Sequence, residues 1–168
     1  LLAAKLVGNT GRVLAFEAAP KTYHITAKNL DNHLNASVKH AAVSNAIAKM
    51  TFYEFPNMYS EYNTIDITQF EEENWFEKKP PVAVKVPTIK LDQVFQDSEI
   101  HPKIIKIDVE GAEFKVLEGG ENYLYKHRPI VVMEYLSKER SNGAHTAALK
   151  FLKKMNYQSY LINKDGQL

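Results

Sequence analysis

Along the chain, short runs of β-branched and other apolar residues alternate with longer stretches in which apolar residues recur every three or four positions. The first pattern belongs to strands buried in a parallel sheet, the second to helices that pack one face against it. Residues 1–7, Leu-Leu-Ala-Ala-Lys-Leu-Val, read as the second half of a helix closed by Gly8 and Gly11. Residues 12–17 follow as a nearly all-apolar strand, expected to be buried on both faces and ending in Glu17. Pro20 starts a helix whose packing face carries Tyr23, Ala27, Leu30 and Leu34. Residues 38–43 read as the next strand, which completes a right-handed strand–helix–strand crossover.

The pattern weakens after Ser44. Residues 49–55 alternate as a strand, and Pro56 opens a turn. Residues 56–81 read as a loop insertion over the ligand face, polar, acidic and aromatic between Ser60 and Trp75. Residues 82–87 resume as a strand, with Pro87 favouring an edge or a strand end, and residues 88–96 as a short helix. Residues 104–109 form the third core strand, which Gly111 turns into a helix interrupted at Gly119 and Gly120 and resumed through Tyr123 and Leu124. Residues 129–135 are a further apolar strand carrying Glu134 near its end. A helix with Ala148, Phe151, Leu152 and Met155 on one face follows, then a strand over 157–162 and a turn over 164–166. These units predict an α/β fold with a doubly wound, mostly parallel sheet, in a single domain over residues 1–168. The opening half-helix has neither an N-cap nor an initiator Met, and the last turn leads toward a strand that does not follow. The domain is therefore expected to be incomplete at both ends.

Composition narrows function more than fold. Lys and Arg number 21 against 20 Asp and Glu, mixed along the chain, so a net charge of +1 supplies no field for nucleic acid or an anionic membrane. The absence of cysteine removes disulfides, thiolate metal sites and cysteine nucleophiles together. No apolar run approaches the roughly 20 residues of a spanning helix, and no signal peptide is visible, so a cytoplasmic protein with a small-molecule substrate is expected. No residue pattern specifies an oligomeric state.

The chemistry concentrates where apolar runs end in acids. In an open α/β sheet, ligands bind outside the carboxyl ends of the strands, so acids there face a cofactor or substrate. Glu17 could accept hydrogen bonds from both hydroxyls of a ribose, or it could cap the helix that follows. Asp108, after Ile-Ile-Lys-Ile, is expected to be poorly solvated and paired with a cation, a metal or hydrogen-bond donors. Together with Glu110 it could instead simply satisfy the free amides of the next helix. Glu134, at the equivalent place on the neighbouring strand, could approach Asp108 and raise its proton affinity, or pair with a Lys or Arg. The six histidines show no metal-ligand spacing. His40 reads as structural, and His145 as a candidate general base beyond Glu134. Tyr59, Tyr62 and Trp75 could stack on a substrate or pack the insertion to the body. A nicotinamide-dependent oxidoreductase and a methyltransferase both fit an acid after the second strand, and a catalytically silent binding module fits the fold.

Three segments carry a resemblance. Gly11-Arg-Val-Leu-Ala-Phe-Glu-Ala-Ala-Pro20, Ile105-Lys-Ile-Asp-Val-Glu-Gly-Ala-Glu113 with Val116-Leu-Glu-Gly119, and Arg128-Pro-Ile-Val-Val-Met-Glu134 resemble the FkbM-like family of S-adenosylmethionine-dependent methyltransferases. The resemblance implies a class I, Rossmann-like methyltransferase sheet and methyl transfer to a hydroxyl of a sugar, polyketide or other small metabolite. It implies that Glu17 holds the cofactor ribose, that Ala18 also binds the cofactor, and that the turn of Ala41, Ala42, Val43 and Ser44 lies against the adenine. Asp108 would sit by the methionine end of the cofactor, and Glu110 and Glu134 would orient or deprotonate the acceptor hydroxyl, with or without the assistance of a divalent cation. The family's first strand and glycine-rich cofactor loop would precede Leu1.

Overall fold

The protein, seen in a computed structural model, is described over residues 1–99, 101–135, 143–163 and 165–167, apart from the side chains of Asn57 and Gln69. The elements fall largely where periodicity puts them. Helix α1 (Leu2–Leu6) leads into strand β1 (Val13–Glu17), helix α2 (Pro20–Leu30), strands β2 (Ala36–His40), β3 (Ala42–Val43) and β4 (Lys49–Glu54). After the insertion come β5 (Val82–Ile89), α3 (Leu91–Phe95), β6 (Ile104–Ile107), α4 (Glu113–Glu118), α5 (Glu121–His127), β7 (Ile130–Met133) and α6 (Gly143–Lys154).

Strand pairing is parallel in three ladders and antiparallel in one. β1 runs parallel to β2, β6 parallel to β7, and β5 lies between β3, parallel, and β4, antiparallel. The expected single sheet is thus divided among the described residues, because β1 and β6 each pair on one edge only. Their other edges border a cavity of about 1370 Å³ lined by Leu14, Phe16, Ile105 and Ile107 among others. For that reason β1 is not buried on both faces as expected, and Leu14 is partly exposed.

Four further expectations are corrected. Residues 38–43 are two strands, not one: the Ala41 amide donates to the Glu17 and Lys39 carbonyls, and the chain leaves β1 there to pair with β5. Leu34 lies beyond the end of α2 and is fully exposed, so it is no part of that helix's packing face. Pro87 is inside the central strand β5, and Thr88 and Ile89 extend that strand instead of starting the helix. The Thr88 amide donates to Ala48 at 2.8 Å. Amide directions alternate along a strand, so the Pro87 nitrogen faces the other edge, where β3 pairs only with Thr88 and Ile89. No ladder bond is lost to the ring. Residues 157–162 form no strand, because no described segment offers them a pairing edge, and Tyr160, Leu161 and Ile162 are exposed. The turn that follows is closed by Asn163, whose side chain accepts from Asp165 and Gln167, while Lys164 lies outside the described residues.

Two cores hold these layers. Leu91, Ile107, Val116, Leu117, Leu124, Ala148, Leu152 and Met155 join α3, α4, α5 and α6 to β6. Ala19, Ala42, Phe52 and Val86 form a smaller core under β3, β4 and β5. The insertion supplies its own packing. Two short 3-10 helices, Asn57–Tyr62 and Ile67–Phe70, surround Trp75, whose ring stacks on Tyr59 at 5.2 Å and Tyr62 at 4.8 Å and meets Phe55 edge-on at 5.5 Å. Through Phe55, which directly follows β4, these rings pack the insertion to the body, the second of the two roles expected for them.

Candidate active site

The site begins with two turns that end β1 and β6. At the first, Glu17 is half-buried and its Oε1 accepts the Ala19 amide at 2.8 Å, next to the start of α2. Burial pushes its carboxyl up from the ordinary range, and the amides of Ala19 and Ala18 together with His40 oppose that shift. Capping and ligand binding are compatible here, since the same carboxylate lines the cavity with Ala18, Ala42 and Val43. His40 is structural as expected: its Nε2 lies 3.1 Å from the Ala18 carbonyl, and its ring stacks on Tyr23. Ser44 is not among the cavity residues. It is fully buried, its amide donates to Ile89 at 2.9 Å and its hydroxyl to Asn45 at 3.3 Å.

At the second turn the backbone is left-handed twice in succession, at Glu110 (φ 48°) and Gly111 (φ 90°). Glycine takes that conformation freely, whereas for Glu110 it costs about 1 kcal/mol and must be held by its surroundings. Thr64, buried in the insertion, lies with its hydroxyl 3.2 Å from the Glu110 carbonyl and 3.2 Å from that of Asp66, and can donate to one at a time. The Gly111 amide donates to Glu113 Oε1 at 3.3 Å. The turn thus directs Asp108 and Glu110 into the cavity, whose wall also includes Ser60, Glu61, Asn63 and Ile65 of the insertion.

Asp108, Glu110 and Glu134 come together, each with a carboxylate oxygen within 4.8 Å of the others. Asp108 is well solvated, contrary to expectation, because the strand ends at Ile107 and leaves the carboxylate outside the sheet, 55% exposed and paired with Lys106. The carboxyl whose proton affinity rises is that of Glu110, pushed up to about 7 by burial first and then by Glu134, Asp108 and Glu113, with His145 opposing. Such a group is half-ionised near neutrality and suited to exchange a proton with a hydroxyl.

This shift has a consequence for stability. Between pH 4.5 and about 7 the folded chain keeps a proton that the unfolded chain has released. The contribution of Glu110 is therefore full below pH 4.5 and is lost as pH rises toward 7. In urea denaturation, Glu110→Gln is expected to flatten this decline and to stabilise the protein above neutrality by about 1–2 kcal/mol after solvent screening. A decline of unchanged slope would assign it to another group.

Three residues of the site are not legible in their roles. Glu113 is fully buried, and His145, expected as a base exposed to substrate, is buried with Nδ1 3.0 Å from the Glu134 carbonyl. Thr64 sits in a segment without periodicity, and no sequence signal marks it.

Three comparisons bear on this arrangement. The profile of the family described as methyltransferase FkbM domain matches residues 1–159. A comparison with curated proteins finds no match. Among solved structures, the methyltransferase FkbM from Methylobacillus flagellatus KT is similar to this chain, with a TM-score of 0.52 and 14% identity over 92% of this chain and 33% of that one. The likeness is one of fold, and this chain spans about a third of that protein's length.

Proposed function

This chain belongs to the FkbM methyltransferase domain family, and from that premise we propose that it transfers the methyl group of S-adenosylmethionine to a hydroxyl of a small acceptor such as a sugar or polyketide. The observation that carries the reading is the cavity wall itself, where Glu17, at the end of β1, and Asp108 and Glu110, beyond β6, share one concavity. Family membership favours this reading over a nicotinamide-dependent oxidoreductase. Among the described residues no helix is long and apolar enough to cross a membrane.

The residues fit the cofactor chemically. A cavity of about 1370 Å³ is ample for a nucleoside with an amino-acid tail, and its carboxylates suit ribose hydroxyls and cationic groups. Glu17 would accept the ribose hydroxyls, Ala18, Ala42 and Val43 would border the base with Ser44 supporting them from behind, and Asp108 would face the methionine end. Bound there, S-adenosylmethionine supplies an electrophilic methyl carbon for in-line displacement. The chain's own part is to align the acceptor oxygen and receive its proton, tasks for Glu110 and Glu134. A divalent cation among Asp108, Glu110 and Glu134 would serve the same end by making the oxygen more nucleophilic. Sensitivity of turnover to a chelator, restored by Mg²⁺ or Mn²⁺, tests that version.

Two finer features belong to the same proposal. A parallel strand between β1 and β6 would join the β1–β2 and β6–β7 ladders into one doubly wound sheet, a reading supported by the two edges on the cavity that are unpaired among the described residues. The insertion over residues 56–81 would cover the ligand face, supported by Ser60, Glu61, Asn63 and Ile65 in the cavity wall.

Calorimetry with S-adenosylmethionine on the intact protein tests the reading. Binding is expected, weakened about 10- to 100-fold by Glu17→Ala, the worth of hydrogen bonds to a charged acceptor. Folded protein that binds none would overturn the methyltransferase assignment. Binding without transfer to any hydroxyl compound would favour a catalytically silent module.

A further inference from the structure

Burying a carboxylate and an imidazole side by side is costly unless they serve something. Glu113 and His145 have side chains 0% and 4% exposed, and among the described residues Glu113 Oε2 has no hydrogen-bond partner, with His145 Nδ1 3.9 Å away. Neither residue is among those lining the cavity. Each reaches instead toward one of the two turns that carry the acids. Glu113 Oε1 accepts the Gly111 amide, beside Glu110, and His145 Nδ1 lies 3.0 Å from the carbonyl of Glu134.

We propose that Glu113 and His145 are a pair of positioning residues, a buried bridge that ties the turn after β6 to the end of β7 and so fixes the separation of Glu110 and Glu134. The inference rests on the methyl-transfer reading for its purpose, though not for its geometry. A carbonyl oxygen only accepts, so His145 must carry its proton on Nδ1. The bridge also connects α4 to α6, which supply Glu113 and His145 respectively, so the two acid-bearing turns move with the helical layer and not separately. Holding two proton-exchanging groups at a set spacing is what alignment of an acceptor requires, because small displacements cost large factors in rate.

The test reads position without turnover. In ¹⁵N-labelled protein, the ring nitrogens of His145 are expected to show the proton on Nδ1. His145→Asn keeps a donor close to where Nδ1 stands, whereas His145→Gln moves it one bond further out. Hydrogen exchange at the amides of Gly111 and Tyr135 is expected to quicken about tenfold in His145→Gln and to return near the original rate in His145→Asn. A proton on Nε2, or unchanged exchange at Gly111 in His145→Gln, would overturn the bridge. Should both substitutions unfold the protein, Glu113→Gln decides: displaced His145 ring signals support the bridge, and unmoved signals refute it. Calorimetry with S-adenosylmethionine on the unsubstituted protein is read separately, since absence of binding there strikes the methyltransferase reading and not the geometry.

Discussion

Asp108→Ala is expected to lower methyl transfer about 10²–10⁴-fold while leaving the fold intact. The two halves of that expectation have separate causes. Asp108 is more than half exposed and its partner Lys106 is 67% exposed, so their ion pair is a surface pair worth under about 1 kcal/mol. Its loss should barely move the melting temperature. Within the site, however, Asp108 is one of three carboxylates whose oxygens lie within 4.8 Å of one another, and it borders the cavity that Glu17 also lines. Removing it takes away a partner for the cationic end of the cofactor and lowers the proton affinity of Glu110, which Asp108 helps to raise. Transfer of labelled methyl from S-adenosylmethionine into hydroxyl compounds, measured beside thermal melting, checks both halves. Undiminished transfer would remove Asp108 from the machinery, and a collapse of melting temperature would make it a structural residue.

The acids that end strands were readable because the physics that buries a strand also marks where burial stops. The apolar runs before Glu17, Asp108 and Glu134 end in the structure within a residue or two of the predicted place. What could not be read was partnership. A period of two says that a segment is extended, not which edge it joins, so residues 38–43 looked like one strand although Ala41 separates pairing with β1 from pairing with β5. Residues 157–162 have the composition of a strand, but extended structure needs a hydrogen-bonding edge as well. The solvation of Asp108 depended on one residue of strand length. Thr64, Glu113 and His145 act across separations of 46, 2 and 11 residues through single hydrogen bonds. Such contacts leave no periodic trace.

The same distinction between pattern and contact governs Gly119. Its sequence position, between two helices, marks a break; its contacts make the residue exacting. A Cβ there would lie 2.0 Å from the Ser44 carbonyl oxygen, 2.8 Å from its carbon and 3.3 Å from Asn45 Cα. All three are backbone atoms, and neither side can retreat freely. The Ser44 amide is bonded to Ile89, and the Gly119 amide to Lys115, while the Gly119 carbonyl accepts the Asp92 amide at 3.0 Å. Gly119→Ala is therefore expected to cost about 3 kcal/mol or more, the upper range for overpacking, and to lower the melting temperature by roughly 6–12 °C. Gly120→Ala provides the contrast, because there the nearest atoms are Leu91 Cβ at 3.0 Å and Cδ1 at 3.1 Å, tight contacts that a shift of a few tenths of an ångström relieves. Its cost should be clearly smaller. Ser44 adjoins Ala42 and Val43, which line the cavity, so any Gly119→Ala protein that remains folded should also bind S-adenosylmethionine more weakly. Equal melting temperatures for the two variants would mean that the approach of Gly119 to Ser44 is looser than the geometry gives.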